Sequence, residues 1–109
     1  MKLLTKEIQK KLPKLFATED IPTEDKIFVT KFFTPDSYWT WYIVEGEQTE
    51  DGNWEFFGFV EGFEREWGYF DSRSLEAARG PLGLNIERDK FFNDVPAKEI
   101  LKPSEMKGE

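Results

Sequence analysis

Between Ile27 and Phe70 large apolar residues recur at every second position, in runs separated by turn residues. That is the period of a β-strand rather than of a helix. The runs cover residues 27–34, 38–45, 54–61 and 66–70. They are broken by Pro35-Asp36-Ser37, by the acidic stretch 46–53 with its Asp51-Gly52 hairpin signal, and by a turn centred on Gly62. Strands joined this closely predict an antiparallel meander. In the second run Trp39, Trp41 and Ile43 share a face opposite Tyr38, Thr40, Tyr42 and Val44. In the third, Trp54, Phe56, Gly58 and Val60 oppose Glu55, Phe57, Phe59 and Glu61. In the first, Phe28 and Phe32 oppose Ile27, Val29 and Phe33. Rings on both faces require cover on both faces: helices on one, loops or a second subunit on the other. A face left bare would instead be an aromatic binding surface.

Outside the strands the signals are helical. Thr5 is placed to cap a helix through Leu12, with Glu7 in its first turn and Lys10 and Lys11 in its last. Leu4, Ile8 and Leu12 form an apolar stripe; Lys2, Lys6, Lys10 and Lys14 form a basic one, and Pro13 limits the helix. Ser72 or Ser74 caps a short helix over residues 75–79, stopped by Gly80-Pro81. Residues 84–88 read as a short strand or an irregular packed segment, and Phe91-Phe92 as an anchor onto the core. The prediction is one α+β domain over residues 1–95. It holds an antiparallel meander sheet of four or five strands, an N-terminal helix and a short helix after the sheet. Residues 96–109 form a C-terminal segment, partly frayed.

Composition narrows the chemistry. The 109 residues contain no His and no Cys. This excludes thiol nucleophiles, disulfides, thiolate metal sites and the usual neutral-pH acid/base. The net charge of −7 is uneven: +4 over residues 1–16, −8 over 17–55 and −3 over the rest. The negative middle argues against direct nucleic-acid binding and leaves room for a basic protein partner. No apolar run is long enough to span a bilayer, and Lys6 and Glu7 interrupt the signal-peptide-like start, so a cytoplasmic protein without membrane attachment is expected.

Two clusters carry chemistry-bearing side chains. Glu64 and Glu66 would share a strand face and could act as an acid/base pair or hold a hard cation, although the Arg65 between them favours a solvated turn. Gly68, between Trp67 and Tyr69, marks a bulge or a place where a ring covers bare backbone. Arg79 and Arg88, in the Gly- and Pro-rich stretch 79–89, form either an anion clamp or ion pairs with Glu87, Asp89, Glu64 or Glu66. The glycines do not follow a phosphate-loop pattern, and no Ser, Thr or Lys has a neighbouring base. No catalytic residue, cofactor or metal ligand is expected.

Several stretches are familiar. Met1-Lys2-Leu3-Leu4-Thr5-Lys6-Glu7, Leu12-Pro13-Lys14-Leu15, Lys31-Phe32-Phe33-Thr34-Pro35, Trp39-Thr40-Trp41-Tyr42 and Phe57-Gly58-Phe59-Val60 are among them. So are Glu64-Arg65-Glu66-Trp67-Gly68-Tyr69-Phe70 and the run from Arg79-Gly80-Pro81-Leu82-Gly83 to Asp89. Together, from Met1 to Phe92, they resemble a family of small bacterial proteins defined as a domain of unknown function and frequent on mobile elements. The resemblance implies an accessory protein that acts by binding; it implies no activity, cofactor or catalytic residue.

Two functional readings follow. The first is a non-enzymatic interaction module whose acidic or aromatic face, with Trp39, Trp41 and Trp54, binds a protein or a second copy of the chain. In one version its carboxylates imitate nucleic-acid phosphates. The second is a small-molecule-binding or carboxylate-dependent catalytic domain. Its pocket would lie between the sheet and the C-terminal segment, lined by Trp67, Tyr69, Arg79 and Arg88, with Glu64 or Glu66 as acid/base.

Overall fold

The computed structural model describes residues 3–106. In chain order it contains α1 (Lys6–Lys11), β1 (Ile27–Phe28), β2 (Thr30–Phe33), β3 (Thr40–Gln48), β4 (Trp54–Glu61), β5 (Arg65–Asp71), α2 (Ser72–Ala77), β6 (Glu87–Arg88), β7 (Val95–Pro96) and α3 (Pro103–Met106). The main sheet is antiparallel in the order β5-β4-β3-β2-β6, and β1 pairs with β7 beside it. The α+β class, the meander and the flanking short helices are those the sequence predicts. Lys2 of the basic stripe and residues 107–109 of the C-terminal segment lie outside the described residues. Among those described, no helix is long and apolar enough to cross a membrane.

Both sheet faces are covered. On one, Leu3, Leu4 and Leu12, with Leu75 and Ile86, pack over Phe32, Trp41, Ile43, Trp54 and Phe56. On the other, Phe28, Ala97 and Leu101, with Phe92, Val95, Ile100 and Met106, cover Tyr42, Val44, Phe59, Phe57 and Trp67. The second cover comes from the C-terminal part of the chain itself.

Three local expectations are corrected. The first run is not one strand: it breaks at Val29, where β1 turns away to pair with β7. Phe28 and Phe32 therefore lie on opposite faces, since a break in register moves the following side chains across the sheet. The second strand begins at Thr40 rather than Tyr38. Trp39 is occupied in closing the turn, its N–H donating to Thr34 Oγ1 at 3.1 Å and its C=O accepting from Thr34 N at 3.0 Å. Neither serine caps α2. The cap position is Asp71, and Ser72 Oγ instead accepts from Trp54 N at 2.9 Å and donates to Asn53 Oδ1 at 2.7 Å, tying helix to sheet. Thr5 does cap α1, Oγ1 accepting from Ile8 N at 3.1 Å.

Candidate functional site

Three chain segments meet at one end of the sheet: the β2–β3 turn, the β4–β5 turn and the α2–β6 connection. They enclose an apolar cleft of about 560 Å³, lined chiefly by Tyr38, Trp39, Trp41, Phe63 and Ile86, with Arg79 at its rim. Trp39 stacks on Trp41 with centroids 5.8 Å apart, and Phe63 meets Trp39 edge-on at 5.2 Å. Trp41 is buried and forms the floor. Tyr38 and Phe63, 64% and 86% exposed, stand at the mouth. Gly62 makes this possible: a Cβ there would lie 2.3 Å from the Trp39 ring. A ring over bare backbone thus occurs at Gly62. At Gly68, where a ring or a bulge was expected, a Cβ would meet nothing within 4 Å and the β4–β5 register is unbroken.

The α2–β6 wall is latched by Asp36. Its Oδ2 accepts from Leu82 N at 2.7 Å, and Oδ1 is buried under Gly80, where a Cβ would lie 1.6 Å away. Arg79 Nη1 donates to the carbonyls of Glu76 and Ala78, each at 2.7 Å, which holds the guanidinium at the rim. The lining offers rings, hydroxyls and one cation, a set suited to holding an apolar group beside an anionic one.

The other expected site residues are dispersed. Trp54 is buried in the first core layer. Trp67 packs among Phe28, Phe57 and Phe59, its Nε1 buried without a partner. Tyr69 is exposed beside Phe57 and Phe16. Glu64 lies in the turn before β5 and Glu66 within the strand, both exposed. Arg88 is on β6, at the opposite sheet edge from β5. Trp67, Tyr69, Arg79 and Arg88 therefore do not line one pocket; of the four, only Arg79 joins the cleft. Neither Arg79 nor Arg88 forms an ion pair among the described residues, where Asp89 faces Lys31 instead, at 3.7 Å. No cluster of three or more carboxylates there is placed to hold a metal ion.

Several acids of the middle segment are engaged within the fold. Asp36 latches a loop, Glu45 is buried, Asp51 pairs with Arg73 at 2.8 Å, and Asp25 lies 4.0 Å from Lys98. Hydrogen bonds from the Thr49 hydroxyl and Arg73 lower the Asp51 carboxyl to about 2.

Sequence reasoning missed the role of Arg65. Its guanidinium bonds Glu61, Glu105 at 2.8 and 3.0 Å and the Ile100 carbonyl at 3.1 Å, while lying 5.2 Å from the Phe59 ring. It clamps the C-terminal segment onto the sheet. The Glu61–Arg65 contact spans a turn and is legible as spacing; Glu105, 40 residues away, leaves no local signal. Burial, then the Glu61 charge, pushes the neighbouring Tyr42 hydroxyl up to about 12. The Arg65 hydrogen bond holds Glu105 below its ordinary 4.5. A lowered carboxylate contributes stability that is complete above the unfolded value and is lost as pH falls through the folded one. Amide exchange at Leu101, taken relative to the intrinsic exchange rate at each pH, should therefore accelerate on acidification below about 4.5. In Arg65→Ala it should be about fivefold faster already at neutral pH, the effect of about 1 kcal/mol. Equal exchange in the two proteins at neutral pH would refute the clamp.

The family described as Protein of unknown function (DUF2958) matches the chain over residues 3–105. The chain belongs to that family. The match extends past Phe92, so the family's domain includes the C-terminal segment that covers the second sheet face. Comparison with curated proteins and with solved structures gave no match. Membership in DUF2958 agrees with the resemblance read from the sequence motifs, and it assigns no residue of the cleft a role.

Proposed function

We propose that this chain is a non-enzymatic protein-binding module, an accessory protein of a bacterial mobile element acting in the cytoplasm. Its binding surface is the aromatic cleft. The observation that carries this reading is the pair of rings left at the cleft mouth: Tyr38 and Phe63 stay largely exposed while Trp39 is half-buried and Trp41 buried. Rings held rigidly at the edge of an apolar pocket are the residue type that dominates protein contacts. Arg79 favours a partner segment with an acidic group next to its apolar anchor. Proton-transfer chemistry has little support, because none of the described residues lining the cleft carries a carboxylate, and Asp36, which latches its wall, is committed to the Leu82 N–H. The accessory role and the setting are supported by the sequence resemblance.

The test is capture from bacterial lysate by the tagged chain, at low and high salt, against a Tyr38→Ala/Phe63→Ala variant. Both positions are exposed, so the variant keeps its fold. A partner retained at high salt by the wild type and weakened about tenfold or more in the variant supports the reading. A partner held equally by both proteins, or none held by either, refutes it. A partner released by salt from both would return the argument to the exposed acids of the 17–55 stretch.

A further inference from the structure

β5 is an outer strand, and among the described residues no strand pairs with its outward side. Its residues run in unbroken register with β4, from the Glu61–Arg65 pair to the Glu55–Asp71 pair. In an antiparallel ladder alternate residues direct N–H and C=O to one neighbour, so about half of the β5 groups point away from β4. Among the described residues no backbone hydrogen bond reaches them from any other segment. Of the devices that blunt such an edge, residues 65–71 contain no Lys and no Pro, and their pairing has no bulge; their charges, Arg65, Glu66 and Asp71, stand toward the strand ends. The opposite edge strand, β6, is only 2 residues long.

We propose that two copies of the chain pair antiparallel through β5, with the twofold axis at Gly68, joining the two sheets edge to edge. The strand is self-complementary about that point. Trp67 of one copy lies opposite Tyr69 of the other, Glu66 opposite Phe70, and Arg65 opposite Asp71. Aromatic pairs form the middle of the ladder, while Arg65 itself stays bonded to Glu61 and Glu105 of its own chain. A register centred on Glu66 would set acid against acid. Directly opposed residues share a face, so both Trp67–Tyr69 pairs form on the face that carries Phe57. There Tyr69 is 60% exposed in the single chain, and Phe16, 57% exposed, lies 6.1 Å from it. Pairing removes this apolar surface from water. At the axis Gly68 presents no side chain and has open space beside it, which lets the two strands approach. No β5 residue lines the aromatic cleft, so the pairing stands independently of the cleft's role.

Sedimentation of the full chain over a concentration series tests the proposal. The expected mass at high concentration is twice the chain mass of 12.9 kDa. Tyr69→Lys places a charge at an exposed position opposite Trp67 of the second copy. It should return the mass to that of one chain with an unchanged circular dichroism spectrum. The register is read separately. Gly68→Cys introduces the only thiol of the molecule, which should form a disulfide-linked dimer on mild oxidation, whereas a thiol at the turn position Glu64 (E64C) should not. A wild type with the mass of one chain at every concentration overturns the proposal. A folded Tyr69→Lys that remains a dimer does so too, as does cross-linking through E64C but not through Gly68→Cys. If Tyr69→Lys does not fold, the thiol pair decides.

Discussion

Glu45→Ala is expected to lower the unfolding free energy by about 3 kcal/mol, read as a fall in the urea midpoint with unchanged slope. Glu45 is 3% exposed. One carboxyl oxygen accepts from Phe16 N at 2.8 Å; the other accepts from Thr18 N at 2.9 Å and from the Thr18 hydroxyl. Phe16 sits at φ 70°, a left-handed conformation that a residue with a Cβ rarely adopts, and the Glu45 bond helps hold it there. Removing the carboxyl strands these donors, and a buried donor without a partner costs about 1–3 kcal/mol. Lys26 Nζ, bonded to Thr18 O at 2.5 Å, would lose its fixed partner as the loop loosens. Glu47→Ala, two positions along β3 and exposed, is the control and should stay within about 0.5 kcal/mol of wild type. A Glu45→Ala midpoint equal to that of Glu47→Ala would show that the buried carboxyl does not hold the loop.

The second large effect is at Gly58, in the middle of β4. A Cβ built there falls 1.9 Å from the Tyr42 carbonyl oxygen and 2.9 Å from its carbon. Both are backbone atoms of the central strand β3, so no side-chain rotation relieves the contact. The crowding comes from the bulge one step away, where the pairing passes from Ile43–Gly58 to Glu45–Phe57 and leaves Val44 unpaired. Gly58→Ala should cost at least about 3 kcal/mol, at the upper end of overpacking. Gly68→Ala, at the directly paired position on β5, meets open space. It should be neutral or stabilising by up to about 1 kcal/mol, since glycine in a strand carries an entropy penalty. Thermal melts of the two variants side by side check the contrast, and equal melting temperatures would contradict it.

Gly58 shows how far sequence reading reaches. The run 54–61 is legible as a strand to its exact bounds, because Trp54, Phe56, Phe57 and Phe59 satisfy both faces at the period of the pleat. The alternation around Gly58 says nothing of why a glycine stands there, since that depends on the Val44 bulge in another strand. The first run misleads for a related reason: Ile27, Val29 and Phe33 alternate as one strand would, and only the pairing of β1 with β7 shows where the strand divides. Arg79 and Arg88 lie close in sequence and share a composition, yet one reaches the cleft and the other the far edge strand.

The amino-acid sequence alone determined the class of fold, the meander, the need to cover both sheet faces and the absence of histidine and thiol chemistry. These follow from periodicity and residue type, which act over a few neighbouring residues. Tertiary structure decided which rings stay buried and which stand at the cleft mouth. It decided that Glu45 and Asp36 serve the fold rather than an acidic surface, and that Arg65 holds Glu105. Each of these joins segments distant along the chain, and their meeting depends on strand order and register. Those are properties of the whole packed chain, settled by the burial of both faces at once, and no local pattern encodes them.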